Sequence, residues 1–418
     1  MSASSPCPIS SERSVVLEDL RRMQVELREL AARLAVEDLT RSYHAALSPI
    51  GWHLGHCAFV ESYWVREVVL GEPLPPELHH RYFPELNEKS SRGKRLPQRE
   101  ELLAFVGGEH RRNLTLLAEP PPEADGHALM EDDYLLRFLH QHYAQHVETV
   151  RYVLTQLHRG AARPDSGSRA VPEEGVRPVS PKPPAALVPQ GGYRIGSDEG
   201  AVFDNERREH TAELEAFLIA QRPVTIEEWR AFQAAGGYSE RRYWSQNGWI
   251  WRCAHAVDRP DTWLDIEGRR VARPDGVREP SRDEPVDGLS HHEAVAFAAW
   301  AGARLPHEQE WEAARRSGYL SRSGEVWEWT ASALDAYPGF QPYPYDGYTV
   351  PWLDGNHYVL RGGSRWSEPA VRRATFRNFY EPDQRHQHAG VRLVFDEPAL
   401  SGQVPAFNSL RQGVRPTR

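Results

Sequence analysis

The stretch DDYLLRFLHQHYAQHVETVRYVLTQLH, residues 132–158, decides the first half of the fold. It reads as one long helix, with Asp132 and Asp133 at the end where a helix carries partial positive charge. Inside it, the word HQHYAQH sets His142 and His146 four residues apart, so the two imidazoles lie one turn above the other on one face. His140 comes two residues before His142 and points elsewhere. A second histidine word, WHLGH (Trp52–His56), lies far upstream in another helical stretch. Two imidazoles from one helix and a third from another can hold a divalent metal and leave coordination positions open.

Five histidines share these two words: His53, His56, His140, His142 and His146. A lone histidine is more often a satisfied core residue, but such a concentration favours metal binding. His53 and His56 are three apart, so either can turn inward. Glu61 and Glu148 are nearby in sequence, as a carboxylate ligand or as acceptors for a ligand's ring N–H.

Working outward, residues 12–158 are expected to form a four-helix bundle. Val15, Leu17, Leu20, Met23, Leu27, Leu30 and Leu34 recur mostly every three or four residues. A second helix begins near Ser48–Pro49, with Ser48 as its cap and Pro49 in its first turn. A third spans roughly Gln98–Leu117. The long connection 71–97 carries RGKR (Arg92–Arg95). By sequence alone this is a solvated basic loop. Its functional alternative is a clamp in which Arg92 and Arg95 grip a carboxylate.

Residues 159–187 are rich in Pro, Gly, Ser and charge and read as a linker. Residues 188–398 read as a loop-rich α+β domain with short strands and two clear helices, Thr225–Ala234 and His291–Ala301. The words GEVWEWT (Gly324–Thr330), LRGGSRW (Leu360–Trp366) and FRNFYEP (Phe376–Pro382) combine glycine turns, tryptophans and arginines. Each alone suits a tightly turning core. Together they also suit an aromatic pocket for a flat cation.

The bulk composition sets limits. A chain of 418 residues suits two domains. A net charge of −9 argues against a nucleic-acid surface. No apolar run is long enough to span a membrane, and the N-terminus lacks the pattern of a secretory signal. Cys7, Cys57 and Cys253 form no CxxC pair, which fits a reducing cytoplasm.

The order of these words adds a resemblance. A helical domain with HxxxH, followed by GARLPHEQEWEAARR (Gly302–Arg316), GEVWEWT, YPGFQPYPYDGY (Tyr337–Tyr348), LRGGSRW and FRNFYEP, resembles the EgtB-type iron enzymes of ergothioneine biosynthesis. QRPVT (Gln221–Thr225) and DNE (Asp204–Glu206) belong to the same pattern. The resemblance implies a DinB-like four-helix bundle followed by a formylglycine-generating-enzyme-like, C-type-lectin-like domain. It implies Fe(II) held by His56, His142 and His146. It places Gln145, Asn378 and Phe379 beside the substrate hercynine (trimethyl-histidine), Arg92 and Arg95 at a thiol donor's carboxylate, and Tyr345 or Tyr348 as the catalytic tyrosine in a dioxygen-dependent reaction.

The sequence departs from the family at two points. WHLGH stands where WDLAH is usual, and Tyr380 stands where some members carry an aspartate for the amino group of a γ-glutamylcysteine donor. A phenol does not replace a carboxylate's charge. A divergent subgroup, the selenoneine synthases, joins hercynine to a selenosugar, which has no amino-acid end. The sequence therefore points to a carbon–selenium synthase, ahead of a hercynine sulfoxide synthase using cysteine or γ-glutamylcysteine. A DinB-like thiol transferase and a metal-stabilised ligand-binding module are further alternatives. Formylglycine generation is disfavoured, because it needs a cysteine pair and Cys253 stands alone in the second domain.

Overall fold

The protein is described from a computed structural model covering residues 11–162 and 183–395. Four long helices form the N-terminal bundle: α1 (Ser11–Arg33), α2 (Ile50–Ser62), α3 (Arg99–Ala118) and α4 (Tyr134–Ala161). Leu20, Met23 and Leu27 of α1 are buried as the apolar spacing requires, but Val15 is 68% exposed, so the stripe begins a turn later than the sequence suggests.

The capping expectations are corrected. The residue before α2 is Pro49, which caps nothing with its side chain, and Ser48 Oγ instead accepts from Arg92 Nη1 at 2.7 Å. Asp132 and Asp133 adopt left-handed backbone angles ahead of α4. Asp133 accepts a hydrogen bond from Arg13 at 2.7 Å, tying α1 to the start of α4. Helix α2 runs on into a π-helical segment, Tyr63–Val69. The looser winding turns Tyr63 and Trp64 toward the space described below. The long connection is not plain loop: it holds short helices at Pro76–Tyr82 and Lys89–Arg92.

The second domain opens with β1 (Ala185–Val188), which begins inside the stretch that composition assigns to the linker. β2 (Gly191–Ile195) pairs with β3 (His210–Leu214), and β4 (Phe217–Ala220) lies between β1 and the final β11 (Val394–Phe395). β5 (Val271–Arg273) and β6 (Gly276–Arg278) form a hairpin. The main sheet has the order β10 (Ala389–Val391), β7 (Trp327–Ala333), β8 (Tyr358–Arg361), β9 (Asn378–Tyr380), with β10 parallel to β7 and the other pairs antiparallel. The register sets Leu360 of β8 opposite both Trp329 and Asn378, so FRNFY becomes the edge strand.

The helices expected from sequence are present as α5 (Ile226–Ala234), capped by Thr225, and α7 (His291–Trp300), capped by Ser290. Two more, α6 (Gln246–Ala254) and α8 (Glu308–Arg316), escape the sequence reading. In α8 the cause is physical. Glu308, Glu310 and Glu312, charged residues that local pattern gives no reason to bury, are buried. Glu308 pairs with Arg361 and Arg377, each at 2.7 Å, and Glu310 with Arg304 at 2.7 Å.

The two domains share α4 as a spine. Buried Glu148 receives hydrogen bonds from Trp327 Nε1 (2.8 Å), Ser364 Oγ (2.8 Å) and Ser367 Oγ (2.6 Å). Further along, Gln156 donates to Asp261 at 2.7 Å. One helix therefore carries the histidine word toward the bundle and a docking face toward the second domain.

Candidate metal centre

His56 on α2 and His142 and His146 on α4 converge as the four-residue spacing requires. One ring nitrogen from each lies within 4.8 Å of the others, and their ring centroids are 4.5–5.3 Å apart. Among the described residues this is the one group of three or more potential metal ligands. Burial drives the pKa of His56 down to about 4 and holds His142 and His146 well below the ordinary histidine value, with the neighbouring imidazoles adding to the effect in the latter two. At neutral pH the three rings are uncharged and present lone pairs. Three converging neutral nitrogens fit a divalent transition metal, and His142 Nδ1, buried with no hydrogen-bond partner, is the kind of orphan that such a site leaves.

The surroundings orient the ligands. The Tyr82 carbonyl lies 2.7 Å from His56 Nδ1 and can only accept, so His56 carries its proton there and frees Nε2. Trp52 stacks on His56 at 4.5 Å and 16°, and the guanidinium of Arg92 caps the far face of that indole at 3.9 Å. His53 Nδ1 is 3.0 Å from His146 Nδ1. His140 turns away and pairs with Asp19 of α1 at 2.6 Å. Neither candidate carboxylate joins the three imidazoles. Glu61 accepts from Gln24 at 2.8 Å within the bundle, where burial raises its pKa to about 8, and Glu148 serves the domain contact.

The histidines face a cavity of about 840 Å³ walled by both domains. Gln145, Tyr345, Tyr348, Asn378, Phe379, Tyr380 and Arg92 all line it. Gln145 donates to Tyr348 Oη at 3.0 Å, joining the histidine helix to the PYPYDGY loop. Tyr348 stacks on Phe203 at 4.2 Å, and burial holds its phenol well above the ordinary value. Tyr345 packs against Trp64 and is 39% exposed. Sequence reasoning passed over Trp352 and His357, which stand 6.2 Å from Phe379 and complete an aromatic wall. Only their aromatic character in a glycine-rich loop signalled them. The arginine pair does not converge. Arg92 spends its fork on Ser48 Oγ and on the carbonyls of Pro84 and Asn87, whereas Arg95 bonds Asn87 Oδ1 at 2.6 Å and lies outside the cavity wall.

The sequence matches the DinB superfamily over residues 19–150 and the sulfatase-modifying factor enzyme 1-like domain over 171–323 and 318–397. It is 34% identical to a hercynine oxygenase of Mycolicibacterium thermoresistibile, across 90% of this chain and 95% of that protein. The chain belongs to the hercynine oxygenase family. The likeness runs through both domains and so through both walls of the cavity. Partial relatives match less of the chain. Ergothioneine biosynthesis protein 1 of Schizosaccharomyces pombe is 25% identical over 62% of this chain and 39% of its own length. A formylglycine-generating enzyme of Streptomyces coelicolor is 31% identical over 38% of this chain and 55% of its own. Among the described residues, no helix is long and apolar enough to cross a membrane.

Proposed function

We propose that this protein is a non-haem Fe(II), dioxygen-dependent synthase that joins a chalcogen donor to the imidazole carbon of hercynine. The observation that carries this reading is the convergence of three neutral histidines on a two-domain cavity in a chain that aligns over 90% of its length with a hercynine oxygenase. His56, His142 and His146 would hold the iron, which would supply the chemistry of dioxygen reduction. In the overall change a ring C–H and the donor's Se–H or S–H are replaced by one carbon–chalcogen bond; the two electrons and two protons released take dioxygen to hydrogen peroxide, or, where the product is a sulfoxide, one oxygen atom goes to the sulfur and the other leaves as water.

The chain's own residues supply the rest. Gln145 precedes His146 and reaches the substrate side of the ligand set, where its amide can orient the imidazole. Tyr348, held by that amide, keeps its proton through burial and is the better placed of the two tyrosines to deliver it. Tyr348, Trp352 and Phe379 offer aromatic faces to the trimethylammonium group, and Asn378 offers an amide beside them.

For the donor we favour a selenosugar. The carboxylates on the cavity wall are Glu85 and Glu381, and both are exposed. Deeper in, the wall beside Tyr380 is built of neutral groups, His386 and Gln384, with buried atoms that lack partners. Such groups suit hydroxyls, whereas the buried acid within electrostatic reach of Tyr380, Glu148, is already committed to Trp327, Ser364 and Ser367 and is not on the cavity wall. Cysteine or γ-glutamylcysteine is the second reading, supported by the hercynine oxygenase relatives and by the cationic side chains of Lys89 and Arg92 on the wall.

Product mass separates them. Iron-loaded protein with hercynine and air is offered a selenosugar, cysteine and γ-glutamylcysteine in parallel. A hercynine adduct with selenium's isotope pattern supports the favoured donor. A hercynyl sulfoxide from an amino-acid thiol, with no selenium adduct, overturns it.

A further inference from the structure

We infer that His53 is a positioning residue for the metal centre: it accepts the Nδ1 proton of His146 and so fixes the tautomer in which His146 Nε2 can bind a metal. This rests on the three-histidine reading above. His53 Nδ1 and His146 Nδ1 face each other at 3.0 Å, and a neutral imidazole carries one N–H, so a single proton lies between them. Were it on His53, His146 would carry its own proton on Nε2 and offer the metal nothing there. With the proton on His146, Nε2 keeps a free lone pair.

The three ligands differ in what stands behind them. His56 is set by the Tyr82 backbone carbonyl, which no side-chain substitution removes. His142 Nδ1 has no partner at all. His146 alone has its tautomer decided by another side chain. An outer partner of this kind orients a ligand and raises its basicity.

The arrangement leaves a mark on His53 itself. Having accepted at Nδ1, it must hold its proton on Nε2, a buried atom with no partner in good hydrogen-bond geometry, the Ser48 backbone being only a weak neighbour of the ring. Folding alone gives no reason to keep a buried, unsatisfied imidazole, since an apolar residue of similar bulk would avoid the loss. The ring is also locked in place: it packs edge-on to Trp52 at 5.5 Å, the same indole that stacks on His56. His53 is therefore oriented by the element that orients a second ligand.

The test is metal affinity, measured on the full chain with Co(II) and Zn(II) against a chelating dye. The proteins compared are wild type, His53→Asp, whose carboxylate still accepts, and His53→Leu, which cannot. The expected order is Asp at or above wild type, with Leu about 10- to 100-fold weaker. In parallel, 15N NMR of the imidazoles in the zinc-loaded wild type should show N–H at Nδ1 of His146 and at Nε2 of His53. A folded His53→Leu protein with unchanged affinity overturns the inference, as does an equal loss in His53→Asp. If His53→Leu does not fold, the NMR tautomers decide alone, and a proton on His53 Nδ1 overturns it. Wild type that binds neither metal sinks the three-histidine reading itself.

Discussion

The charged core of the second domain and the wall of the cavity treat buried polar groups in opposite ways. In the second domain buried charge is paired. Arg392 meets Glu328 at 2.6 Å, Arg361 and Arg377 share Glu308 at 2.7 Å, and Trp311 Nε1 donates to Glu328 at 2.6 Å. In the bundle, the buried rings at the cavity are neutral and partly orphaned, with His142 Nδ1 and His53 Nε2 lacking a partner in good hydrogen-bond geometry. Charge that is matched inside the protein builds the scaffold. Polar atoms left unmatched at a cavity wall mark where something else must bind.

That contrast can be broken first at the ligands. His142→Ala or His146→Ala should abolish metal binding and turnover together, checked by metal analysis and product mass. His140→Ala should keep both, because His140 is committed to Asp19. Loss of metal in the His140 variant with retention in the His142 variant would reverse the assignment.

The paired side should answer with stability instead. Arg377→Met strips Glu308 of one of its two guanidinium partners and should cost about 3–5 kcal/mol in denaturant unfolding. Tyr348→Phe is the counterpart at the cavity wall. It removes one exchangeable proton at the cavity, so unfolding should shift by no more than about 1 kcal/mol, while turnover drops by about 100-fold or more.

pH sharpens the comparison. Burial pushes His53, His110 and His291 down to about 3 and His56 to about 4. Each binds a proton more readily unfolded than folded, so the stability tied to the neutral ring is present above about pH 6.5 and is lost as pH falls toward 4. The melting temperature of metal-free protein should therefore decline steadily over that window, and a flat profile would contradict the burial described.

Glu61 runs the other way. Its folded pKa of about 8 lies above the unfolded value, so its contribution is present below about pH 4.5 and is lost as pH rises through 8. Glu61→Gln should raise the melting temperature at pH 9 and change it little at pH 5.

The same contrast explains what the sequence made legible. The pairing of His142 with His146 was visible because helical spacing is local: four residues apart on one helix dictates a shared face, whereas spacing left His53 and His56 equal and only the family resemblance favoured His56. The bundle was visible for the same reason. Helix α8 was hidden because its buried glutamates find arginines far along the chain, in β8 and β9's flank, and no local pattern announces such partners. The outer partners of the ligands were hidden too. The Tyr82 carbonyl comes from the long connection, and a backbone oxygen has no signature in sequence. Arg92 and Arg95 show the limit of spacing: the two are three apart, yet Arg92 reaches the cavity wall while bracing the loop and Trp52, and Arg95 bonds Asn87 away from it.

The most direct test of the account is X-ray absorption at the iron edge of anaerobically loaded protein, with and without hercynine. The account expects three imidazole nitrogens in the first shell, completed by light atoms at the open positions, and the loss of that signal in His142→Ala. A first shell containing sulfur from Cys57 or a carboxylate from Glu61, or an unchanged spectrum in His142→Ala, would contradict it.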